Sequence, residues 1–246
     1  MAEYINMPKK RTPWTAQDLD YHDVEKYFEF YDLNLRQYYT ELVETLLKPK
    51  NIEGRVLDLG CGFGILGMRI CSNDEFSTVV GLEQSPTLVR AAEVITSRRG
   101  YNGRISFKVW QEDQFPFADG EFDAVVGFLS LHKWNNPEKV LAEIERVRRK
   151  DGLVYIRDYR RDQPAIAFQL FVQQVRFEMG KEIAASLRKS SRSAYISAEL
   201  SQIISDMKLS GYRLEESKIF INIISGLQVE SSTPPSETLE AETNNA

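Results

Sequence analysis

An acidic residue followed by three alternating glycines, Asp58-Leu-Gly60-Cys-Gly62-Phe-Gly64, is the stretch of this chain with the most specific chemistry. Glycines in a turn let a ligand approach the backbone, and a helix beginning just after the turn points unbonded N–H groups at it. Two ligand classes suit such a loop. Gly62, Gly64 and Gly67 match the G-x-G-x-x-G spacing of dinucleotide sites, with Glu83 at a suitable distance for a ribose. Asp58 separates the two. A carboxylate two residues before the first glycine would repel a pyrophosphate, whereas a ligand carrying an ammonium and a sulfonium would be attracted to it. The cationic ligand is the better fit.

Other chemistry-bearing residues are few. His132 could take a proton from an incoming hydroxyl or amine, or serve as a structural loop histidine. Asp158 and Tyr159 are candidates for substrate contact or ordinary loop residues. Cys61 has no neighbour in sequence that would activate a thiolate, so it reads as a small turn residue beside the ligand rather than a nucleophile. With two cysteines and two histidines in 246 residues, neither a disulfide framework nor a structural zinc site is expected. The formal charge of −5 argues against long nucleic acids as partners. The longest apolar runs are strand-length, so no membrane span is expected.

These residues need a frame that brings them together. Phe28, Tyr31, Leu35, Tyr38, Leu42 and Leu46 recur at helical spacing, predicting one or two amphipathic helices between Val24 and Leu47. Arg55 to Leu59 reads as a strand that the glycine turn ends, and Ile65 to Cys71 as the helix after it. Thr78 to Glu83, Ile105 to Val109, Phe122 to Phe128 and Leu153 to Ile156 are further strands. Ser85-Pro86 and Asn136-Pro137 open helices between them, and Asp151-Gly152 is expected to stop the second of these. Strands alternating with helices predict an α/β fold with a mostly parallel sheet covered on both faces. Pro164 to Met179 is apolar around most of its circumference, so it either lies in the core or covers a pocket. Ser190 to Ser193 reads as a loop, Ser197 as the cap of a helix ended by Gly211, and Tyr212 to Glu216 with Ile219 to Ile224 as a β-hairpin.

The loop Val-Leu-Asp58-Leu-Gly60-Cys-Gly62-Phe-Gly64 resembles the first motif of the class I S-adenosylmethionine-dependent methyltransferases. Glu83 closing the second strand, Gln114-Phe-Pro116-Phe117 leading to Phe122-Asp123, Ser130-Leu-His132 and the turn at Asp151-Gly152 extend the resemblance over Arg55 to Asp158. It resembles most the branch acting on small molecules such as ubiquinone and menaquinone precursors. The resemblance implies a Rossmann-like sheet ending in an antiparallel hairpin, with S-adenosylmethionine as cofactor. It implies that Gly60, Cys61, Gly62 and Gly64 line the methionine part, that Asp58 orients its amino group, and that Glu83, with Gln84 beside it, holds the ribose. Gln111 and Glu112 stand where relatives place Asp-Ala at the adenine edge. Tyr31 and Tyr38 resemble aromatic residues brought onto the cofactor from N-terminal helices, although helix-face packing accounts for them equally.

The expected enzyme is a methyltransferase with a small-molecule acceptor, since the chain lacks an Asn/Asp-Pro-Pro-Tyr signature after the fourth strand. A nicotinamide-dependent oxidoreductase and a non-catalytic cofactor-binding protein are the alternatives. Residues 1–20 read as a leader, 21–228 as the domain with a helical lid at 160–207, and 229–246 as a disordered acidic tail. Lys9, Lys10 and Arg11 read as a solvated terminus without a secretory signal, so a cytoplasmic location is expected. The segment Arg157 to Arg192 holds eight basic and four acidic residues, a balance of +4 on an acidic chain. It suggests an anionic acceptor gripped by Arg157 or Arg160, or simply the solvated faces of lid helices.

Overall fold

The computed structural model describes residues 10–14, 24–47, 54–73, 77–110 and 114–226. Within them the strands β1 (Arg55–Leu59), β2 (Thr78–Glu83), β3 (Ile105–Val109), β4 (Phe122–Phe128), β5 (Arg148–Tyr159), β6 (Arg213–Glu216) and β7 (Phe220–Ser225) form one sheet of order β3-β2-β1-β4-β5-β7-β6. β1 to β5 are parallel, and β7 is antiparallel to both β5 and β6. This is a Rossmann-like sheet, and its strand order reverses between β1 and β4, so a crevice opens at their carboxyl ends.

Side-chain alternation explains why both faces are covered. On β5, Leu153 and Tyr155 join one buried cluster while Val154 and Ile156 join the other. The first face packs α1 (Val24–Leu42), α2 (Ile65–Asn73) and α3 (Pro86–Arg98). The second packs α4 (Pro137–Val147) and α7 (Ser197–Asp206). Ser85 caps α3 through Leu88 N at 3.3 Å and Asn136 caps α4 through Lys139 N at 3.1 Å, each followed by its proline as expected.

Three expectations need correction. Asp151-Gly152 does not end α4: the helix stops at Val147, Arg148 already pairs with Phe122, and the dipeptide lies within a register shift before Leu153 pairs with Ala124. Ser190 to Ser193 is not a loop but the last turn of α6 (Lys181–Ser193), where Ser190, Ser191 and Ser193 are buried. Ser197 is the first residue of α7 rather than its cap, the Ile196 N–H is bonded by the Glu199 carboxylate at 3.1 Å, and the helix ends at Asp206, with Lys208 at φ 54° just beyond it, not at Gly211. The leading segment is a single helix, α1, that continues into a π-turn at Val43–Leu47.

Within 160–207, the segment expected to form a lid, α5 (Ala165–Met179) and α6 make a helix pair, whereas α7 packs on the second face of the sheet. Phe168, Val172, Val175, Met179 and Ile183 form the pair's own core, against which Tyr27 and Phe30 of α1 pack. The apolar circumference of α5 thus divides: one stripe packs inward, while Ile166, Leu170 and Phe177 face outward. No described helix is long and apolar enough to cross a membrane. Most of the expected leader, and the tail at 229–246, lie outside the described residues, as do Gln111 and Glu112.

Candidate active site

The crevice deepens into a cavity of about 460 Å³ between the carboxyl ends of the strands, α1 and the lid, a size that suits a small ligand. The glycine turn forms its floor. Gly60 and Gly62 have φ of 78° and 54°, the left-handed region that glycine adopts without strain. A Cβ on Gly60 would lie 2.3 Å from the Ser130 Cβ, so the turn packs directly on the segment after β4. A Cβ on Gly62 would meet nothing within 4 Å, so this glycine borders open cavity. Gly64 lies behind the floor, its missing Cβ leaving room for the Phe107 ring, and does not line the cavity.

Two carboxylates end adjacent strands here. Glu83 is buried, accepting the Gly62 N–H at 3.2 Å on one oxygen and the Gln84 and Ser85 N–H groups at 2.8 and 3.1 Å on the other. The oxygen bonded to Gly62 has one lone pair still free to accept, whereas the other already takes two N–H donors. Asp58 is 2% exposed, and its Oδ2 has no hydrogen-bond partner. Burial, aided by the Glu83 charge, pushes its pKa up to about 7, with only the Gly67 backbone drawing it back. A buried carboxylate with an unbonded oxygen invites a cationic donor. An unpartnered oxygen on Asp58, open space at Gly62 and a free acceptor site on Glu83 are chemically compatible with the ammonium, methionine chain and ribose of S-adenosylmethionine. Burial, together with the Asp58 and Glu83 charges, raises the Cys61 thiol well above its usual range, which disfavours the thiolate a nucleophile would need.

Opposite the glycine turn, Leu129 has φ 55° and its N–H donates to Arg157 O at 2.8 Å. This uncommon conformation for leucine turns the chain into the short 3₁₀ helix Leu131–Lys133 that carries His132. Asp158 binds His132 twice, accepting its backbone N–H at 2.7 Å and meeting its Nδ1 at 3.0 Å. His132 lines the cavity, and its buried Nε2 has no partner. Asp158, expected to touch substrate, instead sits behind His132 as its orienting group. Tyr159 does line the cavity, where burial raises its hydroxyl pKa.

The aromatic expectations divide. Tyr31 lines the cavity, but Tyr38 packs among Phe128 and Phe220 behind it, and its neighbour Tyr39 lines the wall instead. Trp14 and the lid residues Phe171, Ser186 and Ser190 also line it, none of them marked by a local motif. The two expected anion-binding arginines do not reach the cavity. Arg157 donates to Asn222 Oδ1 at 2.9 Å and to Glu41 at 3.0 Å, while Arg160 is engaged by Asp162 and Glu216 at 2.7 and 2.8 Å. Among the described residues no group of three or more histidines, cysteines or carboxylates could hold a metal ion.

A family profile described as a methyltransferase domain matches residues 50–209. The chain is 32% identical over 110 residues to a ubiquinone/menaquinone biosynthesis C-methyltransferase of Citrifermentans bemidjiense, covering 44% of this chain and 47% of that one. It is 26% identical over 161 residues to the 27-O-demethylrifamycin SV methyltransferase of Amycolatopsis mediterranei, covering 65% and 58%. The chain therefore spans about half the length of these curated relatives. The fold matches a putative S-adenosylmethionine-dependent methyltransferase of Methanococcus maripaludis with a TM-score of 0.65 at 19% identity, over 86% of this chain and 96% of that one.

Proposed function

Since the chain belongs to the methyltransferase-domain family, we propose that it transfers a methyl group from S-adenosylmethionine to a hydroxyl of an apolar small molecule, with His132 as general base. The family match sets aside the nicotinamide-dependent alternative. The observation that carries the reading is that His132 lines the cavity with Nδ1 anchored on Asp158 and its buried Nε2 left without a partner. A carboxylate on Nδ1 fixes the tautomer that presents a lone pair at Nε2, the arrangement a proton acceptor needs. One relative is named for an O-demethylated rifamycin and another for a quinone biosynthesis step, which supports a small-molecule acceptor.

When bound, S-adenosylmethionine supplies an electrophilic methyl group on a sulfonium. The residues of the chain do the rest. Asp58 and Glu83 bind and orient the donor from the β1 and β2 ends, and the Gly62 turn lets it approach. His132 accepts the hydroxyl proton at Nε2, and Asp158 stabilises the charged imidazole. The apolar side chains of α5 and α6 exclude water, which would compete as acceptor and screen the charges. Cavity lining by Phe30, Phe171, Val175 and Leu187 suits an acceptor with an apolar body.

The test is incubation of the protein with isotope-labelled S-adenosylmethionine and a panel of hydroxylated apolar compounds, followed by mass spectrometry of labelled products. Label recovered as a methyl ether supports the reading. Label recovered only on nitrogen, sulfur or carbon, or no label transferred to any hydroxyl compound, overturns it.

A further inference from the structure

Residues 10–14 tie the end of α6 to the loop that holds His132, and Trp14 among them lines the cavity. Arg11 Nε donates to Ser193 O at 2.6 Å at the end of α6, and its NH2 group to His132 O and Trp134 O at 3.1 and 3.0 Å. Its guanidinium stacks over the Tyr195 ring at 4.1 Å, and Thr12 N donates to Arg192 O at 3.1 Å. Arg11 is thus a docked anchor, not the solvated charge that its place near the terminus suggested.

The strap delivers Trp14. Its backbone is held at both polar groups by one side chain: Trp14 N donates to Asn135 Oδ1 and Asn135 Nδ2 donates to Trp14 O, each at 2.8 Å. Its ring meets the His132 imidazole edge-on with centroids 5.1 Å apart, carries the Lys189 ammonium at 4.9 Å, and lines the cavity. An indole fixed at the backbone and touching the proposed base is a rigid wall beside the atom that must receive a proton. Such a wall gains most from a flat π-surface laid against it, because aromatic pairs attract beyond their buried area whereas a puckered aliphatic ring fits neither face nor edge as well.

We propose that Trp14 is the specificity-determining wall of the acceptor subsite and selects a planar, unsaturated ring whose hydroxyl points at His132 Nε2. The proposal rests on the reading of His132 as base for a hydroxyl acceptor and names the class of that acceptor. Trp14 acts by positioning, and its backbone clasp by Asn135 keeps the ring in place when the cavity fills.

The experiment measures binding, so it is independent of methyl transfer. Calorimetry on the full chain saturated with S-adenosylhomocysteine compares 2-naphthol with its saturated counterpart, 2-decalol, for the unaltered protein, Trp14→Phe, Trp14→Leu and Asn135→Ala. The unaltered protein is expected to bind 2-naphthol about tenfold more tightly than 2-decalol. Trp14→Phe should keep most of that preference, Trp14→Leu should lose it, and Asn135→Ala should weaken it. S-adenosylhomocysteine affinity should be unchanged in all, which also shows that the variants fold. An equal preference in Trp14→Leu, no preference in the unaltered protein, or cofactor affinity falling together with naphthol affinity would overturn the proposal. Failure of the parent reading shows elsewhere, as label transferred to no hydroxyl.

Discussion

Asp158 grips His132 at two points, the backbone N–H at 2.7 Å and the ring Nδ1 at 3.0 Å, and also accepts the Tyr159 N–H at 2.6 Å. Both residues are almost fully buried, so the imidazole cannot rotate without breaking this set. A residue that holds main chain and ring together sets where the imidazole sits and which of its nitrogens carries the proton.

Asp158→Asn should therefore impair turnover without touching the donor. An amide can donate to Nδ1, which would turn the imidazole N–H toward the cavity and leave no lone pair there. The turnover rate should fall by about 10²–10⁴-fold with S-adenosylhomocysteine affinity unchanged. Stability should drop by about 1–3 kcal/mol because three acceptor contacts share fewer lone pairs. Steady-state kinetics and thermal denaturation check the two parts.

The proposed role of Asp58 in holding the donor's ammonium predicts that donor binding depends on pH. Its pKa in the folded protein is raised to about 7, so the protonated form is favoured by folding. The stability from this group is present at pH below its unfolded value and is lost as pH rises through about 7. An ammonium held beside Asp58 favours its ionised form, so S-adenosylhomocysteine, which keeps that ammonium, should bind more tightly at pH 8 than at pH 6, by about tenfold. Asp58→Asn should flatten that dependence, weaken binding at pH 8 and stabilise the ligand-free protein there. Calorimetry and denaturation at the two pH values measure each.

The two cavity glycines should fail differently. Gly60→Ala drives a Cβ into Ser130 and should prevent stable folding, whereas Gly62→Ala meets only the strain of a positive φ, about 1–2 kcal/mol. Yet Gly62→Ala should weaken S-adenosylhomocysteine by tenfold or more, because its methyl group enters the space the ligand uses. Circular dichroism and calorimetry separate the outcomes.

Much of this frame was legible because it is local. The strand β1, its glycine turn, the Ser85-Pro86 and Asn136-Pro137 helix starts and the position of Glu83 depend on neighbours in sequence, and the structure places them as read. What was misread depends on distant partners. Tyr38 and Tyr39 are adjacent on α1, about 100° apart around the helix, and periodicity alone could not say which one turns to the cavity. Arg157 shares a sheet face with Tyr155, which directs it to Glu41 on α1, 116 positions earlier. The contact between Trp14 and His132 spans more than a hundred residues and left no mark in the local pattern.

Arg157 should behave as a structural residue. Arg157→Ala strips a buried hydrogen bond from Asn222 and a cation from among Tyr38, Tyr155 and Phe220, and should cost about 2–4 kcal/mol. Its acceptor Michaelis constant and the salt dependence of that constant should not move. A rise in the Michaelis constant at unchanged stability would restore the anionic-acceptor expectation.

The most direct test of the account is a single-turnover measurement of methyl transfer to a hydroxyl acceptor by the unaltered protein and by His132→Ala, with and without added imidazole. The predicted result is a loss of about 10²–10⁴-fold in the transfer rate at unchanged S-adenosylhomocysteine affinity, partly restored by imidazole in place of the missing side chain. An unchanged transfer rate in His132→Ala would contradict the assignment of His132 as the base.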